Sequence, residues 1–197
     1  MSKAGGQSLW STTAGWIIDL SLLKAIKLDV EAKSVTVQPG VITKEFNVAV
    51  AKAGFYTPSA GASAVGYIPF LLGGGLSWLN GIYGLAVDNL LSTRIMTATK
   101  GLVNASETEN SDLFWALKGA GQFFGIVTEV TTKVFPIEES MVSWVCIYPP
   151  SQVKDVGEVL ERLANGQNAA RSPGMAAIMV PPGQTKVRNR GLYDDMH

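Results

Sequence analysis

GYIPFLLGGGLSWLNGIYGLAVDNLLS, residues 66–92, holds six glycines (Gly66, Gly73, Gly74, Gly75, Gly81 and Gly84), and no charged residue falls between Lys52 and Asp88. Three consecutive glycines cost a helix about 0.8–1 kcal/mol each relative to alanine and leave a strand with nothing to pack. Bare backbone at that cost implies a task. Without Cβ atoms the chain can adopt positive φ, lie against a ligand and present N–H groups to an anion, which makes Gly73–Gly75 a candidate ligand-approach loop. Two other readings stand beside it. The plainer one is a tight loop between two buried strands. The other is a membrane span, for which about 20 apolar residues suffice; Pro69, Asn80 and the glycines interrupt it, and LDVEAKSVTV and SETENSD on either side are polar.

The 197 residues suffice for one sizeable core or about one and a half ordinary domains. Hydrophobic residues make up 47% and charged residues 16%, with sixteen basic against sixteen acidic side chains. That balance creates no global field to recruit nucleic acid or an anionic membrane. Cys146 is the single cysteine, so no internal disulfide framework exists, and between Val145 and Ile147 it reads as an inert thiol in a strand. The single histidine is His197, which leaves a His/Cys metal centre or a histidine-centred triad without its ligands or base. MSKAGGQSLW has no apolar run, so the N-terminus offers no secretory signal and the compartment is left open.

Around the glycine-rich stretch the expected order is mixed α and β. AGGQSL (4–9) has the chemistry of a turn with outward N–H groups. A short strand is expected over Trp16–Asp19, a second over SVTV closed by Pro39-Gly40, and a helix over 43–53, where Phe46, Val50 and Ala53 share a face ending at Gly54. LSTRIMTATKGLVNAS reads as a hairpin turning near Thr99-Lys100-Gly101. Ser111-Asp112 should cap a helix over LFWALKGAG that Gly119 stops. FGIVTEVTTKVFP alternates as a strand up to Pro136. After that the pattern restarts with SWVCIY, an amphipathic helix from Ser151 to about Leu163 (Val153, Val156, Val159, Leu160, Leu163), and the strand AAIMVPP. Strand, helix and strand are half a sheet, so a second unit cut short is expected.

Standard nucleotide fingerprints fail: Gly119, Gly121 and Phe124 miss GxGxxG by one place, and GASAVG lacks the lysine and hydroxyl of a P-loop. Glu107, Glu109 and Asp112 read as a solvated loop before a helix. Taken jointly, however, the triple glycine followed by YGLAVDN, the block ENSDLFWALKGAG, and FGIVT are similar to the second half of the FAD-binding domain of PCMH-type flavoproteins. The nearest likeness is to the berberine bridge enzyme-like oxidases of fungal and plant secondary metabolism. The resemblance covers residues 3 to about 150 well and the rest loosely.

That resemblance implies an α+β fold: an incomplete PCMH-type FAD-binding domain over 1–138, lacking an N-terminal subdomain, and the beginning of an α+β substrate domain over 139–197. Gly5, Gly6, Gln7 and Ser8 fall on the family's pyrophosphate turn. Ser63, Gly66, Gly73, Gly74 and Gly75 fall beside the flavin, and Gly125, Ile126 and Val127 where the backbone meets the adenine end. Gln7 stands where many members carry the histidine bonded to the flavin and Ala62 near a second linking cysteine, so the implied FAD is non-covalent. Gly66-Tyr67-Ile68-Pro69 replaces a GVGG-like run, and its bulk is expected to crowd the backbone approach. Phe123 replaces a usual asparagine, and Lys3 stands near a usual arginine. The implied activity is oxidation of a small organic, secondary-metabolite substrate by hydride transfer to flavin with molecular oxygen as acceptor. No residue is assigned as general base; Tyr67 and Tyr83 read as packing aromatics with satisfied hydroxyls. The contrasting expectation is a catalytically inactive remnant, or an interaction partner of a full-length flavoprotein, with exposed apolar faces. Neither nucleic acid nor a membrane is an expected partner, and the oligomeric state is left open.

Overall fold

A computed structural model describes residues 2–3, 15–138 and 147–166. Its strands are β1 (Ser2–Lys3), β2 (Ile18–Asp19), β3 (Ile26–Asp29), β4 (Ser34–Val37), β5 (Phe55–Tyr56), β6 (Leu90–Thr97), β7 (Gly101–Ser106), β8 (Ile126–Lys133) and β9 (Phe135–Pro136). Its helices are α1 (Thr43–Lys52), α2 (Tyr67–Leu72), α3 (Asn80–Tyr83), α4 (Ser111–Ala120) and α5 (Val153–Ala164), with 3-10 turns at Ala86–Asn89, Gly121–Phe123 and Pro150–Gln152.

The organising element is a five-stranded antiparallel sheet in the order β3-β4-β8-β6-β7. Alternation along the strands makes it two-faced. Val35, Val37, Leu90, Ile95, Ala105, Val130 and the buried Thr93 and Thr132 turn to one side. On the other side Thr36 and Thr131 share a hydroxyl hydrogen bond of 2.9 Å, and Arg94 faces Glu129 at 3.7 Å across the register. The apolar face is covered by Phe46 and Val50 of α1, Tyr67, Ile68, Leu71 and Leu72 of α2, and Phe114 and Leu117 of α4, which join the strands in one core. β8 and β6 keep register through two shifts, the second of which leaves Thr128 unpaired with its hydroxyl donating to the Arg94 carbonyl at 3.1 Å.

Several expectations hold closely: α1 over 43–52, the β6–β7 hairpin with its turn at 98–100, and β8. In α4, Lys118 and Gly119 (φ +112°) leave the helical region, so the regular helix does stop where Gly119 was expected to stop it. Its N-cap differs. Asn110, at φ +47°, precedes the first helical residue Ser111, and the Asn110 side-chain amide donates to the Asn104 carbonyl at 2.7 Å. The reading also passed over β3, whose Ile26 and Leu28 alternate inward opposite Val37 and Val35. The first strand is shorter than Trp16–Asp19, with pairing confined to Ile18–Asp19 on β1. The glycine-rich segment is not a plain loop between strands: α2, α3 and the Ala86–Asn89 turn lie within it.

At the start of α1, Glu45 accepts the Ile42 N–H at 3.0 Å and pairs with Lys24, closing one orphan donor of the first turn. The Lys24 hydrogen bond, helped by the Ile42 N–H, holds the Glu45 carboxyl below the ordinary carboxylate value. A lowered folded value adds stability above the unfolded pKa of about 4.3 and loses it as pH falls through the folded one. Both side chains are well exposed, so Glu45→Ala is expected to cost about 1 kcal/mol at pH 7 and progressively less as pH falls below the unfolded value, read as a shift in urea midpoint.

The expected strands SWVCIY and AAIMVPP, and Cys146 with them, lie outside the described residues except for Ile147 and Tyr148, which are exposed coil. The amphipathic helix is present as α5, and Val153, Val159 and Leu163 on it are exposed among the described residues. No helix among the described residues is long and apolar enough to cross a membrane.

Candidate cofactor site

The site residues expected from sequence fall in four groups, one of them the run Gly73–Gly75 that follows α2. Gly5, Gly6, Gln7 and Ser8 lie outside the described residues. Ser63 and Gly66 lie on the loop joining β5 to α2. Gly125 immediately precedes β8, and Ile126 and Val127 open it.

The β5–α2 loop is anchored at both ends and open in the middle. Thr57 and Pro58 are buried at its start, and the Ser59 N–H donates to the Ser77 hydroxyl at 3.3 Å. At its far end the Val65 carbonyl accepts both the N–H (2.8 Å) and the hydroxyl (2.9 Å) of Thr43, the Ser63 carbonyl accepts the Lys44 N–H at 3.1 Å, and Gly66 bridges Ile42. Between these anchors Gly61, Ala62, Ser63 and Ala64 are exposed and carry nothing larger than a hydroxymethyl group. A surface backbone held still and stripped of bulk suits close contact with a flat, polar-edged ligand. Trp78 flanks it, its indole nitrogen 3.3 Å from where a Gly61 Cβ would stand. The sequence reading missed Trp78; a tryptophan inside an uncharged glycine-rich run was the available signal.

Of the bulky residues in the run Gly66-Tyr67-Ile68-Pro69, Tyr67 and Ile68 turn away from this surface and Pro69 is exposed. Tyr67 is fully buried, its ring stacked on Phe46 with centroids 3.7 Å apart, and Ile68 is buried beside it. Residues 67–72 form a helix, and helical periodicity rotates both side chains into the core. The Tyr67 hydroxyl lies against Thr57 and Thr132 without a well-formed hydrogen bond, contrary to the expected satisfied phenol, and burial pushes its pKa well above the ordinary value. Tyr83 matches its expectation: its hydroxyl meets that of Tyr56 at 2.7 Å and its ring stacks on Phe135 at 3.8 Å.

Two N–H groups of the triple glycine, expected as a ligand-approach loop, are used inside the fold. The Gly73 N–H donates to the Pro69 carbonyl and the Gly74 N–H to the Leu71 carbonyl, both at 3.1 Å, closing the end of α2. Gly75 is buried.

Leu72, at the end of α2, rests on Gly121, where an added Cβ would meet its side chain at 2.8 Å. That contact brings the end of α2 beside the turn leading into β8. Gly125 there has φ +152°, and a Cβ would stand 2.2 Å from the Met96 carbonyl oxygen. Val127 is buried, so any ligand contact from it is through backbone; Gly125 and Ile126 are half-buried. Clefts of about 380 Å³ on the polar sheet face and about 610 Å³ beside the β6–β7 turn are lined by none of the expected cofactor residues. No group of three or more metal-ligating side chains occurs among the described residues.

Residues 1–106 match a family described as the FAD binding domain. The FAD-linked oxidoreductase pgmH of Aspergillus terreus is 36% identical over 191 residues, covering 95% of this chain and 37% of that protein. The FAD-linked oxidoreductase OXR1 of Pyricularia oryzae is 43% identical over 138 residues, covering 68% of this chain and 27% of its own length. This chain thus spans roughly a third of the curated relatives it matches. Among solved structures, 6-hydroxy-D-nicotine oxidase from Arthrobacter nicotinovorans superposes with TM-score 0.66 at 34% identity, over 68% of this chain and 30% of that one. Physcomitrella patens BBE-like 1 does so with TM-score 0.60 at 30% identity, over 61% and 27%. The antiparallel sheet under three helices is therefore part of a PCMH-type flavoprotein fold, and the chain belongs to the FAD-binding-domain family of FAD-linked oxidoreductases.

Proposed function

We propose that this chain supplies the cofactor half of an FAD-dependent oxidoreductase that oxidises a small organic substrate of secondary metabolism, with molecular oxygen as acceptor. The supporting observation is the anchored, small-residue loop over 59–64, exposed at 61–64, which this reading sets beside the flavin and which Tyr67, turned into the core, leaves clear. The residues present fit the cofactor. Ser63 and Gly66 hold it from the β5–α2 loop, Gly125, Ile126 and Val127 meet it through backbone at the adenine end, and Gly5, Gly6, Gln7 and Ser8 form the pyrophosphate turn. When bound, the flavin supplies the two-electron chemistry; the protein positions it and limits access of water. Gln7 and Ala62 offer no linking histidine or cysteine, so the FAD is held non-covalently. Residues 1–138 form the cofactor domain, and 139–197 begin the substrate domain.

The purified chain incubated with FAD is expected to become yellow, to quench flavin fluorescence, and to release all its flavin on acid precipitation. A folded protein that takes up no FAD overturns the reading. Flavin that migrates with the denatured polypeptide overturns the non-covalent part alone.

A further inference from the structure

The glycine triplet is tied into the fold in both directions. Its N–H groups at Gly73 and Gly74 close α2 by donating to Pro69 and Leu71, while its carbonyls at Gly74 and Gly75 accept the N–H groups of Val87 and Ala86, each at 3.0 Å. Gly74 is at φ +106°, the left-handed conformation that commonly follows a helix end. Gly75 is at φ +77°, and a Cβ there would stand 2.5 Å from the Ala86 Cβ and 3.0 Å from the Phe70 ring. The Ala86–Asn89 turn gripped in this way is itself fastened to β8, because the Asn89 carbonyl accepts the Thr132 hydroxyl at 2.9 Å. Two of the run's three N–H groups and two of its carbonyls are thus used inside the protein, and the Gly75 Cβ position is filled.

We infer that Gly73–Gly75 is a clasp that joins the end of α2 to the Ala86–Asn89 turn, and that flavin contacts from this stretch lie upstream of Tyr67, on 59–66. The clasp is a positioning device: it fixes α2, and α2 carries the cofactor-facing loop at its other end. This assignment of contacts rests on the flavin reading above; the clasp does not.

Amide hydrogen exchange on the flavin-free chain tests the clasp directly. Gly73, Gly74, Ala86 and Val87 are expected to be protected at least 100-fold over unstructured chain, and Gly74→Ala, whose Cβ enters open space and carries only the φ penalty, to speed Ala86 and Val87 at least 10-fold while lowering the melting temperature by about 3 °C. Gly73 and Gly74 amides exchanging at unstructured rates overturn it. FAD titration then tests the contacts. Gly74→Ala should leave the dissociation constant within about threefold, whereas Ser63→Phe, at an exposed position, should raise it more than 10-fold with the melting temperature within about 2 °C of the wild type. The reverse ranking overturns the placement of the contacts. A wild type that takes up no FAD at all defeats the flavin reading and its contact assignment, and leaves amide exchange to decide the clasp.

Discussion

Gly125→Ala is expected to lower the melting temperature by about 10 °C, the largest effect of any single methyl addition considered for this fold. Two costs combine there. Gly125 sits at φ +152°, where an L side chain is strained by about 1–3 kcal/mol. The added Cβ would also fall 2.2 Å from the Met96 carbonyl oxygen and 3.2 Å from Ile95 Cγ1. The first neighbour is backbone of β6, so relief requires moving either that strand or the start of β8 against it. Those two strands form the centre of the sheet, and Met96 pairs with Ile126 immediately after the glycine. Overpacking of this kind typically costs about 1–3 kcal/mol, and a total near 3 kcal/mol corresponds to about 6–12 °C for a chain of this size. Gly101→Ala is the matched control, since Gly101 is at φ +69° with nothing within 4 Å of its Cβ position. It should lose only the conformational part, about 1 kcal/mol. Thermal melts followed by circular dichroism separate the two; equal shifts would mean that β6 does not pass where it is placed.

How much of this was legible in sequence depends on where the information sits. Local chemistry was readable: the spacing of Phe46 and Val50 announced α1, β-branched runs around Thr99-Lys100-Gly101 announced the β6–β7 hairpin, and Gly119 announced the end of the regular part of α4. Where tertiary contacts decide, residue patterns pointed elsewhere. Ile26–Asp29 has only four residues, half of them exposed, and is a strand because Val35 and Val37 lie opposite. The run Gly66–Gly75 gave a correct sense that backbone was needed bare, and the family relationship supported an FAD-binding reading. It did not reveal that Tyr67–Leu72 is a helix. Pro69 and the flanking glycines disfavour one, and burial of Tyr67, Ile68, Leu71 and Leu72 against the sheet outweighs that local preference. From the helix follows the rest: the glycines terminate it, and the N–H groups of Gly73 and Gly74 are spent on the Pro69 and Leu71 carbonyls.

Tyr67 offers the second large effect and also a sharp contrast between two substitutions. Tyr67→Ala is expected to cost about 4 kcal/mol, because it removes a fully buried ring stacked on Phe46 from the middle of the core. Tyr67→Phe keeps the ring and removes a hydroxyl that has no well-formed partner, so it is expected to be neutral or to stabilise by up to about 1 kcal/mol. Alkaline pH separates them further. Burial raises the folded pKa of the phenol above its unfolded value, so the proton is held more tightly in the native state. Stability from that group is complete below pH about 10 and falls, at up to about 1.4 kcal/mol per pH unit, as pH climbs from there toward the raised folded value. The urea midpoint of the wild type should therefore drop more steeply above pH 10 than that of Tyr67→Phe, while the two coincide at pH 8 to within about 1 kcal/mol. Superimposable alkaline curves would mean the hydroxyl reaches solvent and that the ring is not seated in the core as described. A buried phenol here is what keeps the Tyr67 ring away from the exposed residues 61–64 of the loop, so this titration bears on the site as directly as on the core.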